Sequence, residues 1–84
     1  MYKLELKPSA LRDLLRLPRL IQKRVAEKID ALAKDPFPRG STKLEALDDL
    51  WRIRIGDYRV VYEIDNRAKT VDVTRIAHRR AVNE

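Results

Sequence analysis

The chain carries its clearest structural signal in Leu50-Trp51-Arg52-Ile53-Arg54-Ile55-Gly56-Asp57-Tyr58-Arg59-Val60-Val61-Tyr62-Glu63-Ile64-Asp65. Apolar and charged residues alternate on both sides of Gly56-Asp57, which predicts two strands joined by a tight turn. Because successive strand side chains point to opposite faces, Arg52 and Arg54 share one face, and the apolar residues between them share the other. Arg59 begins the returning strand. No acidic residue lies between Leu50 and Gly56, so we expect a surface suited to phosphate groups.

The N-terminal part predicts one strand and two helices. Alternation from Tyr2 to Lys7 predicts the strand. Ser9 is a candidate N-cap for a first helix, which Pro18 ends. A second helix is predicted from about Arg19 to Lys34. Its apolar positions have helical spacing and are assigned to the core: Ile21, Val25, Ile29 and Leu32.

The remaining segments complete the fold prediction. Residues 35–42 contain two prolines and a glycine and predict a loop, with Phe37 packed back as an anchor. Residues 43–49 predict a short strand or an irregular segment. The hairpin, a turn over residues 65–69 and a last strand from Thr70 to Ala77 follow. This order predicts a single α+β domain over residues 1–84. It has an N-terminal strand, a two-helix hairpin, and a three- to four-stranded, mostly antiparallel sheet with the helices on one face.

The composition favours a polyanionic partner. Lysine and arginine number 19 against 13 acidic residues, giving a net charge of +6 over 84 residues. Such a charge concentrates a polyanion and releases its counterions. With no cysteine and a single histidine, we expect no disulfide, metal or other cofactor. Because the sequence shows no signal peptide and no apolar run near the roughly 20 residues of a membrane span, we expect a cytoplasmic protein without membrane contact.

The residues that can carry chemistry here are mainly cations. Arginine binds phosphate through two parallel hydrogen bonds and stays charged at any working pH. Clustered guanidinium groups can stabilise the charge that develops when the 2′-OH of RNA attacks the adjacent phosphate, provided that the hydroxyl is held in line. Histidine is the residue type suited to proton transfer near neutral pH. The candidates are Arg52, Arg54, Arg59, Arg75, His78, Arg79 and Arg80.

Most of these candidates also have a purely structural interpretation. Arg59 could pair with Glu63 on the same strand face. Arg52 and Arg54 could be ordinary solvent-facing strand residues. His78 could be a strand-end histidine bonded to the backbone. Arg75 lies in phase with the two preceding valines of its strand, so it could extend along the edge of the core. The aromatic residues share the phase of the apolar strand positions and are assigned to the core rather than to base stacking: Trp51, Tyr58 and Tyr62.

The run from Leu50 to Tyr62, followed by Val71-Asp72-Val73 and Ile76-Ala77-His78-Arg79-Arg80, resembles the RelE branch of the RelE/ParE toxin superfamily. The front half agrees, with Leu14-Leu15-Arg16-Leu17-Pro18 in a short helix and a longer helix before Asp35-Pro36. The resemblance covers nearly the whole chain and implies the fold that the pattern predicts.

The resemblance also implies a function. RelE-like toxins of type II toxin–antitoxin systems enter the A site of the 30S ribosomal subunit and cleave mRNA there by metal-free 2′-OH attack, which inhibits translation. The implied partners are a RelB-type antitoxin, the ribosome and mRNA, with operator DNA contacted only through the antitoxin complex. By family role, Arg52 takes the position of proton abstraction from the 2′-OH, Arg54 and Arg59 stabilise the phosphate, and Arg79 assists the leaving 5′-oxygen. Further RNA contacts are expected from Arg75, His78, Arg80 and Asn83.

The chain departs from this family pattern at two places. Asn83 stands where members often carry a tyrosine that orients the substrate, and an asparagine cannot stack on a base. Some members carry lysine at the positions of Arg52 and Arg54, and an arginine is a poor general base. Two alternatives therefore stay open: a ParE-like inhibitor of DNA gyrase, and a weakened or non-catalytic member that binds its antitoxin. The spacing of Arg52, Arg54, Arg59 and Arg79 favours the endoribonuclease.

Overall fold

The computed structural model describes residues 1–44 and 49–78. The elements follow the order β1 (Lys3–Leu6), α1 (Pro8–Leu15), α2 (Arg19–Ala31), β2 (Thr42–Lys43), β3 (Leu50–Ile55), β4 (Tyr58–Asp65) and β5 (Thr70–His78). Within the described residues the strands form one sheet in the order β1-β5-β4-β3-β2. The β1 strand runs parallel to β5, and the other neighbours are antiparallel. The predicted α+β architecture is confirmed, with four strands after the helices.

The core lies between the two helices and one face of the sheet. Alternate strand residues and the apolar stripe of α2 point into it, and a buried Val, Ile or Leu contributes roughly 1.5–3 kcal/mol each. Ala10 is fully buried where α1 packs on the sheet. The α2 stripe is confirmed as core, with Ile21 half-buried at its start. The buried apolar residues are Ala10, Val25, Ile29, Leu32, Ile53, Ile55, Val60, Tyr62, Ile64, Val71, Val73 and Ile76.

The start of α1 differs from the prediction. Pro8 occupies the first turn and Lys7 is the N-cap residue, with no side-chain cap hydrogen bond. Proline suits this position because the first-turn N–H groups have no partner within the helix. Ser9 is therefore inside α1, and its hydroxyl donates to the Thr74 carbonyl oxygen at 3.0 Å. The assignment of Ser9 as N-cap was wrong because its hydroxyl bonds to the sheet.

Two turns fix the strand registers. Ile55 pairs with Tyr58, so Gly56-Asp57 forms a two-residue hairpin turn. Gly56 has a φ of 60°, which a glycine adopts at little cost. The predicted turn between β4 and β5 is confirmed: the Asp65 Oδ1 atom accepts hydrogen bonds from the Arg67 and Ala68 amides at 2.9 and 3.0 Å.

The loop after α2 is pinned to the sheet by two aromatic residues. The Phe37 ring meets the Trp51 ring edge-on, with centroids 4.9 Å apart, which confirms Phe37 as an anchor. The Tyr62 hydroxyl donates to the Pro36 carbonyl oxygen at 2.9 Å.

Among the residues that the structure describes, α2 is the longest helix, with 13 residues. No described helix has the length and apolar character needed to cross a membrane.

Candidate nucleic-acid interface

Alternation in β3 and β4 separates a basic surface from the core. Ile53 and Ile55 are buried under the helices, so Arg52 and Arg54 project from the opposite side of the sheet. Val60 and Tyr62 are likewise buried, which places Arg59 on the side of Arg52 and Arg54. We call this surface the arginine face, formed by Arg52, Arg54, Arg59 and Arg75.

The strand register brings two of these arginines directly opposite each other. Arg54 pairs with Arg59 across the hairpin, and directly opposed residues have Cβ atoms about 4.5–5.5 Å apart. Like charges in this arrangement repel each other, and a nearby group of opposite charge reduces the repulsion. Arg52 is two residues from Arg54 on the same strand face. The three guanidinium groups can therefore contact one phosphate or two adjacent phosphates of a nucleic-acid backbone.

The opposed arginines differ in their exposure. Arg54 is exposed, whereas Arg52 and Arg59 are half-buried. The Nε and Nη1 atoms of Arg59 are themselves buried, so its side chain has few rotamers and loses little entropy on binding. A small pocket of about 30 Å³ lies between Arg54, Arg59 and the turn. A phosphate would therefore lie over this arginine pair rather than inside the sheet.

The same face of the sheet is acidic at its other end. Glu63 pairs with Asp72 in the register, and Asp72 also pairs with Glu5 of β1. The Lys7 Nζ atom lies 2.8 Å from the Asp72 Oδ2 atom. Its hydrogen bond to Asp72 and the charge of that carboxylate raise the pKa of Lys7. A polyanion is therefore attracted to the end of the face that carries the Gly56 turn and is repelled from the other end.

Arg75 joins the arginine face because β5 contains a bulge. Val61 pairs with Arg75 and Tyr62 pairs with Val73, so Thr74 is an extra residue in β5. A bulge of one residue reverses the faces of all the residues after it. Arg75 is exposed and lies across Val61 from Arg52. The alternative in which Arg75 extends along the core edge was wrong, because that interpretation assumed an unbroken period of two.

The bulge places His78 on the other side of the sheet. His78 pairs with Tyr58, and their rings meet edge-on with centroids 5.2 Å apart. Tyr58 shares the helix-facing side with buried Val60, so His78 is not brought together with the arginine face. Its predicted contact with RNA stays a prediction.

The other aromatic predictions are resolved by burial. Tyr62 is fully buried, and this burial raises the pKa of its hydroxyl to about 12. Trp51 is half-buried and packs against the core as well as Phe37. Both residues are thus core rather than base-stacking surfaces.

Three predicted site residues, Arg79, Arg80 and Asn83, lie outside the described residues.

Sequence reasoning assigned α2 to the core alone and so missed the cations that line two cavities near the Gly56 end of the sheet. Arg24 lines a cavity of about 200 Å³ with Ile55 and the Gly56 turn. Lys28 and Arg39 line another, of about 230 Å³, whose wall includes Arg54. The spacing of four residues between Arg24 and Lys28 was the available signal, because residues so spaced share one face of a helix.

Comparison with known proteins points to one family. The profile of a family described as "ParE toxin of type II toxin-antitoxin system, parDE" matches residues 4–82. Toxin RelE of Mycobacterium tuberculosis is 37% identical over 81 residues, which span 95% of this chain and 84% of that protein. Toxin RelG of the same organism is 33% identical over 79 residues, spanning 93% and 91%.

Solved structures agree with this similarity. A chain of the RelBE2 toxin–antitoxin complex from Mycobacterium tuberculosis has a TM-score of 0.81 and 33% identity, over 92% of this chain and 96% of that one. A chain of the archaeal RelE–RelB complex from Pyrococcus horikoshii has a TM-score of 0.83 and 30% identity, over 96% and 98%. The family match over residues 4–82 includes the three strands that carry the arginine face.

Proposed function

The chain belongs to the RelE/ParE superfamily of type II toxins, and we propose that it is a ribosome-dependent mRNA endoribonuclease. Its partner is a RelB-type antitoxin. In this proposal it acts in the cytoplasm, cleaves mRNA in the ribosomal A site and so inhibits translation, and it reaches operator DNA only through the antitoxin complex. The names of the relatives, RelE and RelG, favour this branch over gyrase inhibition.

The opposed pair Arg54 and Arg59 is the observation that carries the proposal. Because these two cations are in register across the hairpin, both guanidinium groups can reach the same phosphate. Arginine can donate two parallel hydrogen bonds to phosphate oxygens. A site preorganised in this way stabilises charge that grows in the transition state, which is the largest contribution in many enzymes.

The proposed reaction uses only the RNA, water and these side chains. The 2′-hydroxyl gives its proton to water as its oxygen attacks the adjacent phosphorus, and the bond from phosphorus to the 5′-oxygen breaks. The leaving 5′-oxygen takes up a proton from solvent, so the products are a 2′,3′-cyclic phosphate and a 5′-hydroxyl. Arg54 and Arg59 hold the phosphate, Arg52 faces the attacking hydroxyl, and Arg79 assists the leaving oxygen. Because a guanidinium does not release its proton readily, catalysis rests mainly on alignment and charge.

Mapping of mRNA 3′ ends in a purified translation system tests this proposal. The wild-type protein should create new ends within the A-site codon. Arg59→Ala should cleave on the order of 10²-fold more slowly, since it removes one transition-state donor. Arg67→Ala is the matched control, because Arg67 is an exposed arginine in the turn at the acidic end of the sheet. It should cleave as the wild type does.

Two outcomes would contradict the proposal. Intact mRNA with folded wild-type protein would exclude the nuclease, and inhibition of gyrase supercoiling by the same preparation would support the ParE-like alternative. Equal cleavage by wild type and Arg59→Ala would remove the arginine face from the site. Circular dichroism of each variant establishes that the fold is retained.

A further inference from the structure

Asp13 occupies a position in α1 that helix formation does not explain. It lies in the last turn of an eight-residue helix, where a negative charge opposes the helix dipole. Aspartate is also a poor residue for a helix interior. Its side chain instead reaches the sheet, where the Oδ2 atom accepts a hydrogen bond from the Ile76 amide at 3.0 Å.

The Ile76 amide lies next to the β5 bulge, where regular ladder bonding is interrupted. Buried backbone groups that lose their ladder partners need other partners. The Ser9 hydroxyl donates to the Thr74 carbonyl oxygen at 3.0 Å, and the Thr74 hydroxyl donates to the Val61 carbonyl oxygen at 3.1 Å. Ser9 and Asp13 are four residues apart and so share one face of α1. Together they hold the backbone on both sides of Arg75.

The bulge decides which face Arg75 occupies. Val71, Val73 and Ile76 are all buried, so the spacing of inward-facing residues changes from two to three at Thr74. An unbroken strand would turn Arg75 into the core and Ile76 outward. The observed register places Arg75 beside Val61, whose other neighbour is Arg52. The same shift leaves the small side chain of Ala77 beside Arg59, which keeps that end of the face open.

We propose that Asp13 is a positioning residue of the arginine face. Its hydrogen bond to the Ile76 amide holds the bulge that turns Arg75 toward Arg52. Asp13 makes no contact with RNA in this proposal and acts through Arg75. The effect on cleavage rests on the proposed function, whereas the effect on the bulge does not.

Amide hydrogen exchange, followed by NMR, tests the effect on the bulge. Asp13→Ala should raise the exchange rate of the Ile76 amide about tenfold or more, the effect of losing one charge-assisted hydrogen bond. Asp13→Asn should restore most of the protection, because its amide oxygen also accepts. Asp30→Ala is the matched control, since Asp30 is an exposed acid near the end of α2. It should leave the Ile76 amide unchanged.

A double-mutant cycle with Arg75→Ala tests the link to function. If Asp13 acts through Arg75, then Asp13→Ala should slow mRNA cleavage severalfold in the wild-type background and cause little further loss in the Arg75→Ala background. A general loss of stability would instead slow both backgrounds equally. A separate readout is the shift of the Arg75 Nε resonance when inorganic phosphate is added to a protein that retains Arg75, and Asp13→Ala should reduce that shift.

The outcomes separate the two proposals. An Ile76 amide that exchanges equally in wild type and Asp13→Ala overturns the role of Asp13, as do additive losses in the cycle. If Asp13→Ala does not fold, Asp13→Asn takes its place: its neutral oxygen is a weaker acceptor, so the Ile76 amide should exchange measurably faster than in the wild type, and equal exchange would overturn the role of the Asp13 carboxylate. A wild-type protein that does not cleave mRNA contradicts only the proposed function, because hydrogen exchange still reports on the bulge.

Discussion

The opposed arginines show how the strand register concentrates positive charge at one place. An opposite-charge pair directly across a sheet gains roughly 0.2–1 kcal/mol, whereas like charges there are destabilising. Arg54 and Arg59 form such a like-charge pair beside the Gly56 turn. A phosphate at this position would interact with both guanidinium groups at once, which is why the proposed function assigns both side chains to it.

The buried Tyr62 hydroxyl should contribute to stability in a pH-dependent way. Tyr62→Phe removes the donor to the Pro36 carbonyl oxygen and should lower the free energy of unfolding by about 1–2 kcal/mol at pH 7. Burial raises the pKa of Tyr62 from 10.0 to about 12. Between these values the unfolded hydroxyl releases its proton while the folded one keeps it, so wild-type stability falls as the pH rises. The difference between wild type and variant should therefore narrow above pH 10.

Urea unfolding at a series of pH values from 7 to 11.5 measures this difference. The raised pKa of Lys7 also implies stability that is present below pH 10.5 and lost at higher pH, but both proteins share it and it cancels in the comparison. A difference that stays constant from pH 7 to pH 11.5 would contradict the assignment of Tyr62.

Strands with unbroken alternation of apolar and polar residues were predictable from the sequence, whereas a strand interrupted by a bulge was not. The β3–β4 hairpin has unbroken alternation on both sides of Gly56, so the face of Arg52, Arg54 and Arg59 followed directly. The side of the sheet on which Arg75 lies could not be predicted in this way. The extra residue Thr74 reverses the alternation in β5, and the burial of Ile76 shows this reversal in the structure. Serine is a favoured N-cap residue, but the Ser9 hydroxyl instead donates a hydrogen bond to the Thr74 carbonyl oxygen of β5. Contacts between α1 and β5 are separated by more than sixty residues, which local patterns cannot encode.

The β3–β4 hairpin turn should tolerate substitution of Gly56 only at a cost in stability. Gly56 has a positive φ, and a Cβ atom built there meets no heavy atom within 4 Å. Gly56→Ala should therefore lose about 1–2 kcal/mol of stability through backbone strain alone. Gly56→Asn should lose less, because asparagine tolerates positive φ. Chemical denaturation of the three proteins measures both differences.

Gly40→Ala provides the comparison for function. Gly40 also has a positive φ and open space around a Cβ, but it lies in the loop after α2. Both alanine variants should lose stability, whereas Gly56→Ala alone should weaken RNA binding, since its turn sets the register of Arg54 against Arg59. Equal RNA binding by Gly56→Ala and wild type would show that the turn does not control the arginine face.

At the scale of the whole molecule, charge is divided along one face of the sheet. The Gly56 end carries the arginine face. On the helix side of the same end, Arg24 lines one cavity, and Lys28 and Arg39 line another that Arg54 borders. The other end carries Glu5, Glu63 and Asp72, with Lys7 bound to Asp72. The net charge of +6 therefore understates the local potential at the basic end. This division favours one docking orientation on a polyanion and steers its approach.

The division of charge predicts how salt affects binding. A single-stranded RNA in which 2′-O-methyl groups block the nucleophile should bind with a log–log salt dependence of about −0.7 per neutralised phosphate. Arg54→Ala and Arg59→Ala should each make this slope shallower by about 0.7, because each removes one phosphate contact. Arg67→Ala changes the net charge equally but lies at the acidic end, so its slope should equal that of the wild type. Fluorescence anisotropy at 50–300 mM KCl measures the slopes. If all three variants had the same slope, shallower than that of the wild type, net charge rather than the arginine face would drive association.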